Sequence, residues 1–208
     1  SALLAAGVIN DIDYHRLAVA RGKAMAAPDD PGFDAGTMMA VMGKVDSVEE
    51  LLGDFADLKV ANFNSNKQEV VAGPKDQIEK AFDFFKSKRF SVVSLPVSAA
   101  FHTPLVGHAQ KPFSEAINKA KFNKPKVPVF SNQTAKAYPN EPGKIKERLQ
   151  DHILESVRFK QQIENLYEAG ARVFIEFGPK NVLTKLTENI LQGKEIYAVA
   201  LNPNPNED

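Results

Sequence analysis

His102 is the residue of this sequence whose type and setting best suit acid–base chemistry. It stands in the segment Leu95-Pro-Val-Ser-Ala-Ala-Phe-His-Thr-Pro-Leu105, at the exit of a predicted apolar strand. Pro104 disfavours helical geometry at the residue before it, so we expect the imidazole on a short, stiff connection of the kind that often carries catalytic groups. A histidine there can act as a general base, or it can pack or cap at the strand end, and the segment alone leaves both roles open.

Arg21 is the second candidate because it interrupts an apolar helical stripe. The helix that carries this stripe is predicted to begin with Asn10 or Asp11 as its cap. The stripe, at positions i, i+3, i+4, i+7 and i+11, consists of Tyr14, Leu17, Ala18, Arg21 and Met25. A buried guanidinium needs a carboxylate or phosphate partner. That partner is either part of an internal ion pair or the carboxylate of a substrate held by two parallel hydrogen bonds.

The composition argues against several classes of function. The 208 residues contain 26 basic and 26 acidic side chains and no cysteine. Balanced charge argues against nucleic acid or an anionic membrane as a partner. The lack of cysteine excludes thiolate catalysis, and we expect no metal site. No apolar run is long enough to span a bilayer and no signal peptide is recognised, so we predict a cytoplasmic protein.

The elements that position these side chains are predicted to form an α/β protein of two subdomains. Residues 37–97 have a βαββαβ order, with strands at 38–42, 59–63, 69–72 and 90–97 and helices at 47–55 and 74–87. This split βαβ order predicts an inserted, ferredoxin-like small subdomain. A segment rich in turn residues, 27–36, is predicted to be the linker that leads into it.

Residues 1–36 and 98–208 are predicted to form the large subdomain. After His102 we expect helices at 104–120, 143–154, 156–169 and 181–191, strands at 127–131, 172–177 and 195–201, and a polar, proline-rich tail. Helices alternating with strands predict a parallel sheet flanked by helices.

Several short motifs, taken together, are similar to one family. They are Ala5-Ala-Gly-Val8, Ala20-Arg-Gly-Lys-Ala-Met25, Ala61-Asn-Phe-Asn-Ser65, Val70-Val-Ala-Gly-Pro74, Pro96-Val-Ser-Ala-Ala-Phe-His102, Pro128-Val-Phe-Ser-Asn132 and Phe177-Gly-Pro-Lys-Asn-Val-Leu183. In this order and spacing they resemble malonyl-CoA:acyl carrier protein transacylases and the acyltransferase domains of polyketide and fatty acid synthases. Through the segment from Phe101 to Phe113 the sequence is most similar to the acyltransferase domain of polyunsaturated fatty acid synthases. The resemblance implies a hydrolase-like large subdomain, here incomplete, that carries the ferredoxin-like insertion.

The resemblance also implies acyl transfer through a serine nucleophile. The serine takes the malonyl group from malonyl-CoA and passes it to the phosphopantetheine thiol of an acyl carrier protein, with no further cofactor bound. His102 matches the position of the family's general base, and Arg21 matches the arginine that binds the malonyl carboxylate. A backbone carbonyl orients the base in this family, and here we expect it to belong to His152 or a neighbour. The implied partners are the carrier protein and neighbouring synthase domains.

Phe101 directly precedes the histidine, where similar domains combine phenylalanine with malonyl and smaller residues with branched substrates. Rejecting one extra methyl group in this way is typically worth about 1–3 kcal/mol. From the residues alone Phe101 could equally be part of the core at the strand end. Asn62 and Asn64 are expected to be turn residues that satisfy their own backbone.

The sequence departs from the family in one feature. It contains no Gly-x-Ser-x-Gly motif and no serine on a glycine-flanked turn between a strand and a helix. We therefore expect that the N-terminal part with the Gly-His-Ser-x-Gly nucleophile is missing and that this segment alone is inactive. Two alternatives stay open: a related serine acyl hydrolase, and a non-catalytic docking or structural domain. Arg21 favours transfer over the first alternative, because hydrolysis of neutral lipids needs no group that binds a carboxylate.

Overall fold

The structure is a computed structural model that describes residues 1–30 and 32–204. Pro31 of the predicted linker and the last four residues of the predicted tail lie outside the described residues. Within the described ranges, none of the helices has the length and apolar character needed to cross a bilayer.

The described residues form six strands and eight α-helices. The strands are β1 (Thr37–Met42), β2 (Lys59–Ser65), β3 (Gln68–Gly73), β4 (Ser91–Ser94), β5 (Val173–Pro179) and β6 (Tyr197–Asn202). The helices are α1 (Ala2–Ala5), α2 (Asp11–Ala24), α3 (Val48–Leu51), α4 (Lys75–Ser87), α5 (Gln110–Lys119), α6 (Pro142–Asp151), α7 (Phe159–Glu168) and α8 (Val182–Ile190). Helices and strands alternate along most of the chain, which confirms the predicted α/β class.

Strands β1 to β4 form one antiparallel sheet in the order β2-β3-β1-β4. With α3 after β1 and α4 after β3, this is the topology of a ferredoxin-like unit, as predicted. Successive residues of a strand face opposite sides of the sheet. Met39 therefore packs with Ile78 and Phe85 of α4, while Met38 belongs to a second cluster on the other face. The limits of this subdomain at 37 and 97 stay a prediction.

Strands β5 and β6 pair in parallel and are connected through α8. Helix α8 begins where the carboxylate of Glu176 accepts hydrogen bonds from the backbone N–H groups of Leu183 and Thr184, at 3.1 and 2.8 Å. A carboxylate at this end satisfies N–H groups that have no partner inside the helix. Ile163 of α7 and Ile190 of α8 pack together, so this parallel βαβ unit has its own small core.

Helix α2, which carries Arg21, is fixed at its start by Asn10. The Asn10 side chain accepts a hydrogen bond from the N–H of Asp13 at 2.7 Å, so Asn10 is the cap among the two predicted residues. Leu17 is buried in the core that α2 shares with α5 and α6. Arg21 follows one turn later, in the last turn of the helix, where the helix dipole favours a positive charge.

The prediction of a strand at 127–131 is wrong. Phe130 makes only an isolated bridge with Ala137, and the residues around it form no ladder. Pro128 contributes no N–H to a ladder, so this short segment cannot hold a neighbouring strand along its length.

The strand predicted at 90–97 is shorter than expected, because β4 ends at Ser94. The N–H of Leu95 still bonds to β1 at 3.0 Å, but Pro96 has no N–H to continue the pairing. His102 consequently follows an irregular segment and not the strand end itself.

Candidate active site

His102 lies in a backbone turn that leads into a short 3-10 helix, Pro104–Ala109. Its φ of 63° is in the left-handed region, which costs a residue with a Cβ on the order of 1–3 kcal/mol. Thr103 holds this turn, because its hydroxyl donates to the carbonyl of Ala100 at 2.7 Å and accepts from the N–H of Leu105 at 3.3 Å. The surrounding hydrogen bonds thus maintain an unfavourable conformation that sets the direction of the imidazole.

The ring of His102 is oriented by a backbone carbonyl. Its Nδ1 lies 3.0 Å from the carbonyl oxygen of Glu155. Since a carbonyl only accepts hydrogen bonds, Nδ1 carries the hydrogen, and Nε2 of the neutral ring is left to accept a proton. The residue predicted for this role was His152 or a neighbour. The acceptor is the carbonyl of Glu155, three residues further along, because the chain after α6 runs beside β2. The carbonyl of His152 has a smaller effect on the same ring.

The surroundings of His102 favour its neutral form. Burial is the largest influence and lowers the pKa of His102, while the hydrogen bond to the carbonyl of Glu155 acts in the opposite direction. The positive charges of Arg21 and Lys59 lower the pKa further, and the net result lies below the ordinary value of 6.5. A general base has to be unprotonated before it acts, so this environment suits that role.

A second imidazole, that of His152, lies beside the first, with the two ring centroids 6.0 Å apart. Burial, followed by the charges of His102 and Arg21, lowers the pKa of His152 to about 4. Its Nε2 is buried and has no hydrogen-bond partner among the described residues. His152 therefore stays neutral near pH 7, and His102 is the imidazole that takes up a proton.

One cavity of about 670 Å³ brings together the three predicted side chains Arg21, Phe101 and His102. Its volume is in the range of sites that hold small molecules and cofactors. Asn62 and Asn64 contribute polar groups to the same wall, and the apolar part of the lining includes Met25, Met38, Val70 and Leu95. A second cavity, of about 810 Å³, shares Arg21 and both asparagines and extends to His152.

Arg21 lies on the wall of these cavities and is not buried in the core. Of the predicted stripe, Leu17 is buried, whereas Ala18 and Arg21 are exposed. Neighbouring protein lowers the pKa of Arg21 by desolvation, but a guanidinium keeps its charge in proteins. No described carboxylate lies within 4.0 Å of it, so the internal ion pair considered from the sequence is not found. The guanidinium is available to a ligand.

Phe101 contacts both the core and the cavity. The half-buried ring packs against the cluster of Met38, Ala61, Val70, Ala72 and Ala100 on the sheet face opposite α4, and it also lines the cavity next to His102. A smaller side chain at this position would enlarge the cavity from the sheet side.

Asn62 and Asn64 were expected in a turn and lie in β2, which extends to Ser65. Residues two apart in a strand face the same side, and both asparagines line both cavities. The spacing of two amides among the apolar residues Val60, Ala61 and Phe63 was the signal that could have identified them.

The arrangement supports proton transfer next to a bound anion. A neutral imidazole with a free Nε2 and an unpaired guanidinium share one largely apolar cavity, where the attraction between charges is stronger than in water. Within the described ranges, His, Asp and Glu side chains nowhere gather in a group of three that could hold a metal ion.

Comparison with known proteins agrees with this chemistry. The family model described as "Acyl transferase domain" matches residues 1–206. A polyunsaturated fatty acid synthase polypeptide of Thraustochytrium sp. is 33% identical over 100% of this chain and 7% of its own length. Malonyl CoA-acyl carrier protein transacylase of Escherichia coli strain K12 is 34% identical over 97% of this chain and 65% of its own.

The solved structures show the same fold. The crystal structure of malonyl-CoA:acyl carrier protein transacylase from Xanthomonas oryzae superposes with a TM-score of 0.88 at 30% identity, over 99% of this chain and 65% of that one. The chain thus spans less than two thirds of the length of each of these relatives.

Proposed function

Because the chain belongs to the acyl transferase domain family, we propose that it acts in the transfer of malonyl groups from malonyl-CoA to the phosphopantetheine thiol of an acyl carrier protein. One observation carries the proposal. An unpaired guanidinium, that of Arg21, and an imidazole with a free Nε2, that of His102, line the same cavity. The first can bind the malonyl carboxylate, and the second can move the proton that acyl transfer requires.

His102 supplies the proton transfers of both half-reactions. Nε2 first takes the proton of a serine hydroxyl while the serine oxygen attacks the thioester carbonyl. The C–S bond then breaks, and CoA leaves as its thiol with the proton from His102. In the second half-reaction the pantetheine thiol gives its proton to Nε2, attacks the acyl-serine ester, and the serine leaves with that proton. The oriented Nδ1–H of His102 keeps the ring in the required tautomer throughout.

The sequence of 208 residues contains no Gly-x-Ser-x-Gly turn, so the proposal assigns to it the base and the binding groups and not the nucleophile. That this segment alone is inactive stays a prediction. The alternative of a serine hydrolase leaves the unpaired Arg21 without a role, and a purely structural domain leaves both Arg21 and His102 without one.

Selection of the acyl group is assigned to Arg21 and Phe101. Two parallel hydrogen bonds from the guanidinium match a carboxylate, so malonyl is favoured over acetyl. The ring of Phe101 occupies space next to His102 that a branched acyl group would need. Malonyl-CoA is therefore the proposed substrate.

The proposed partners follow from the relatives. Carrier proteins receive the acyl group in malonyl transacylases, and the relative from Thraustochytrium is part of a fatty acid synthase. We accordingly propose a carrier protein and neighbouring synthase domains as partners, in the cytoplasm.

The decisive experiment replaces Arg21 by alanine in the protein as its organism makes it. Initial rates of transfer are measured with malonyl-CoA and with acetyl-CoA. We expect R21A to lose malonyl transfer by about 100-fold or more, the loss that removal of a charge-assisted anchor can cause, while acetyl transfer is kept or rises. The control is R16A on the same helix, since the Arg16 side chain is 76% exposed. Equal losses with both substrates would contradict the assignment of Arg21.

A further inference from the structure

The segment that follows α6 carries the carbonyl of Glu155 that orients His102. Glu155 itself is exposed and lies in the connection between α6 and α7. A backbone oxygen in an exposed connection keeps a 3.0 Å hydrogen bond only if the connection is held in place. The N–H of Arg158 donates to the carbonyl of Asn132 at 2.8 Å, and the hydrogen bonds nearest to Glu155 on both sides come from one strand, β2.

Two side-chain hydrogen bonds fasten the residues on either side of Glu155. The Nζ of Lys59 donates to the carbonyl of Leu154 at 2.9 Å. The hydroxyl of Ser156 donates to the carbonyl of Val60 at 2.7 Å, in a buried position where Ser156 is 7% exposed. Because peptide units are planar, fixing the neighbours on both sides leaves the carbonyl of Glu155 little freedom to turn.

Two backbone hydrogen bonds extend this attachment by one residue. The N–H of Val157 donates to Ala61 at 2.8 Å, and the carbonyl of Val157 accepts from Phe63 at 2.9 Å. They form a short parallel bridge between the connection and β2. The four bonds together tie the large subdomain's connection to the edge strand of the ferredoxin-like sheet.

We propose that Lys59 and Ser156 are positioning residues of the acyl transfer reaction, which hold the carbonyl of Glu155 against His102. The proposal rests on the function proposed above, in which His102 is the general base. Neither side chain lines the two cavities that contain Arg21. Their loss would let the Glu155 carbonyl drift, so that the imidazole would sample other orientations and tautomers and the catalytic step would slow.

Lys59 has a second effect through its charge. The groups that face the ring of His102 are Arg21 from α2, Lys59 from β2 and the neutral His152 after α6. Arg21 and Lys59 both disfavour the imidazolium. Removing the ammonium of Lys59 by itself would raise the pKa of His102, whereas loosening the carbonyl of Glu155 would lower it, so K59M combines two opposite effects. Loss of the Ser156 hydroxyl loosens the carbonyl alone and is therefore expected to lower the pKa of His102.

The test uses the full protein and compares four variants by kcat, KM for malonyl-CoA and the pH profile of kcat/KM. Two remove the attachment, S156A and K59M. Two are controls that remove a hydrogen bond of the same chemical type at an exposed site: S87A, whose hydroxyl donates to Phe84 at 2.7 Å, and K146M, whose Nζ donates to Asn118 at 3.0 Å. A fifth variant, S156T, keeps the hydroxyl.

We expect S156A and K59M to lower kcat by about 3- to 10-fold with KM little changed, the size of effect that loss of one ordinary hydrogen bond gives. In S156A the acid limb of kcat/KM should also move to lower pH, because a weaker hydrogen bond to the carbonyl of Glu155 stabilises the imidazolium less. S156T should recover most of the activity lost in S156A. Both controls should match the parent. If S156A and K59M behave like their controls, or if only KM changes, the proposal is overturned.

A reference variant, H102A, separates this proposal from the one it rests on. If H102A keeps full transfer activity, His102 is not the base and the proposed function fails as well. If H102A loses activity while S156A and K59M match their controls, only the positioning role fails.

Discussion

The Nδ1 of His102 and the backbone carbonyl of Glu155 lie 3.0 Å apart although the two residues are 53 positions apart in the sequence. This contact decides which ring nitrogen can act as a base. Because the carbonyl is electrically neutral, it fixes the tautomer without adding the negative charge that an aspartate would bring. The imidazolium consequently gains less stabilisation, and the pKa of His102 stays low.

The pH profile of acyl transfer should reflect this environment. Burial lowers the pKa of His102 below 6.5, and the neutral ring is the active form. The acid limb of kcat/KM for malonyl-CoA should therefore have its midpoint below pH 6.5, with activity retained down to that midpoint. Rates measured between pH 5 and 8 test this, with H15Q as a control, since His15 is exposed. A midpoint clearly above 6.5 would mean that another group governs the limb.

The selectivity assigned to Phe101 can be tested by shortening its side chain. F101A should widen the cavity next to His102 and raise the ratio of methylmalonyl to malonyl transfer by about 10- to 200-fold, the discrimination typical of one methyl group. Competition between the two CoA thioesters measures this ratio directly. The matched control is F90A, because Phe90 packs on Phe85 in the sheet core and does not line the cavity. An unchanged ratio in F101A would leave the ring with its packing role alone.

Local patterns in the sequence were enough to predict much of the fold. The period of two in the strands, the period of 3.6 in the helices and the order of elements predicted the ferredoxin-like topology and the helix that carries Arg21. His102, Arg21 and Phe101 were singled out by residue type, position and family resemblance, and all three line one cavity.

What the sequence could not predict depends on contacts between distant segments. Glu155, and not His152, accepts the hydrogen bond of His102 because the connection between α6 and α7 is bonded to β2. No local sequence pattern predicts that contact. The exposure of Arg21 depends on which distant segments pack against its face of α2, and the sequence of the helix does not show this. The prediction of a strand at 127–131 was wrong for a similar reason. Apolar residues next to prolines favour an extended chain, but this extended segment has no neighbouring strand with which to form a ladder.

Glu69 should make the stability of the protein depend on pH. Burial, with smaller contributions from Glu49 and Asp46 and an opposing one from Lys160, raises the pKa of Glu69 from 4.5 to about 7. Between these values the folded state binds the proton and the unfolded state does not, so the free energy of unfolding falls as pH rises from 4.5 to 7. E69Q removes this loss and should be more stable than the parent at pH 8 by about 2–3 kcal/mol.

Urea unfolding at pH 5 and pH 8 measures that difference. E69Q should resemble the parent at pH 5, where the folded parent already carries the proton. The control is E79Q on the exposed face of α4. A parent whose stability does not fall between pH 5 and 8 would contradict the assignment to Glu69.

The outer face of the β5–β6 pair should make the 208-residue chain, produced by itself, self-associate. Alternate residues of β5 are exposed, with Val173 at 59%, Ile175 at 50% and Phe177 at 79%, and Tyr197 of β6 is 63% exposed beside them. Contiguous apolar surface of this kind promotes association in water.

Light scattering over a 100-fold dilution should show a mass that rises with concentration, and F177K should reduce it. V19K, at an exposed valine of α2, is the control, because Val19 lies on a helix away from this sheet. If F177K and V19K lower the scattering equally, net charge and not the β5–β6 face governs association.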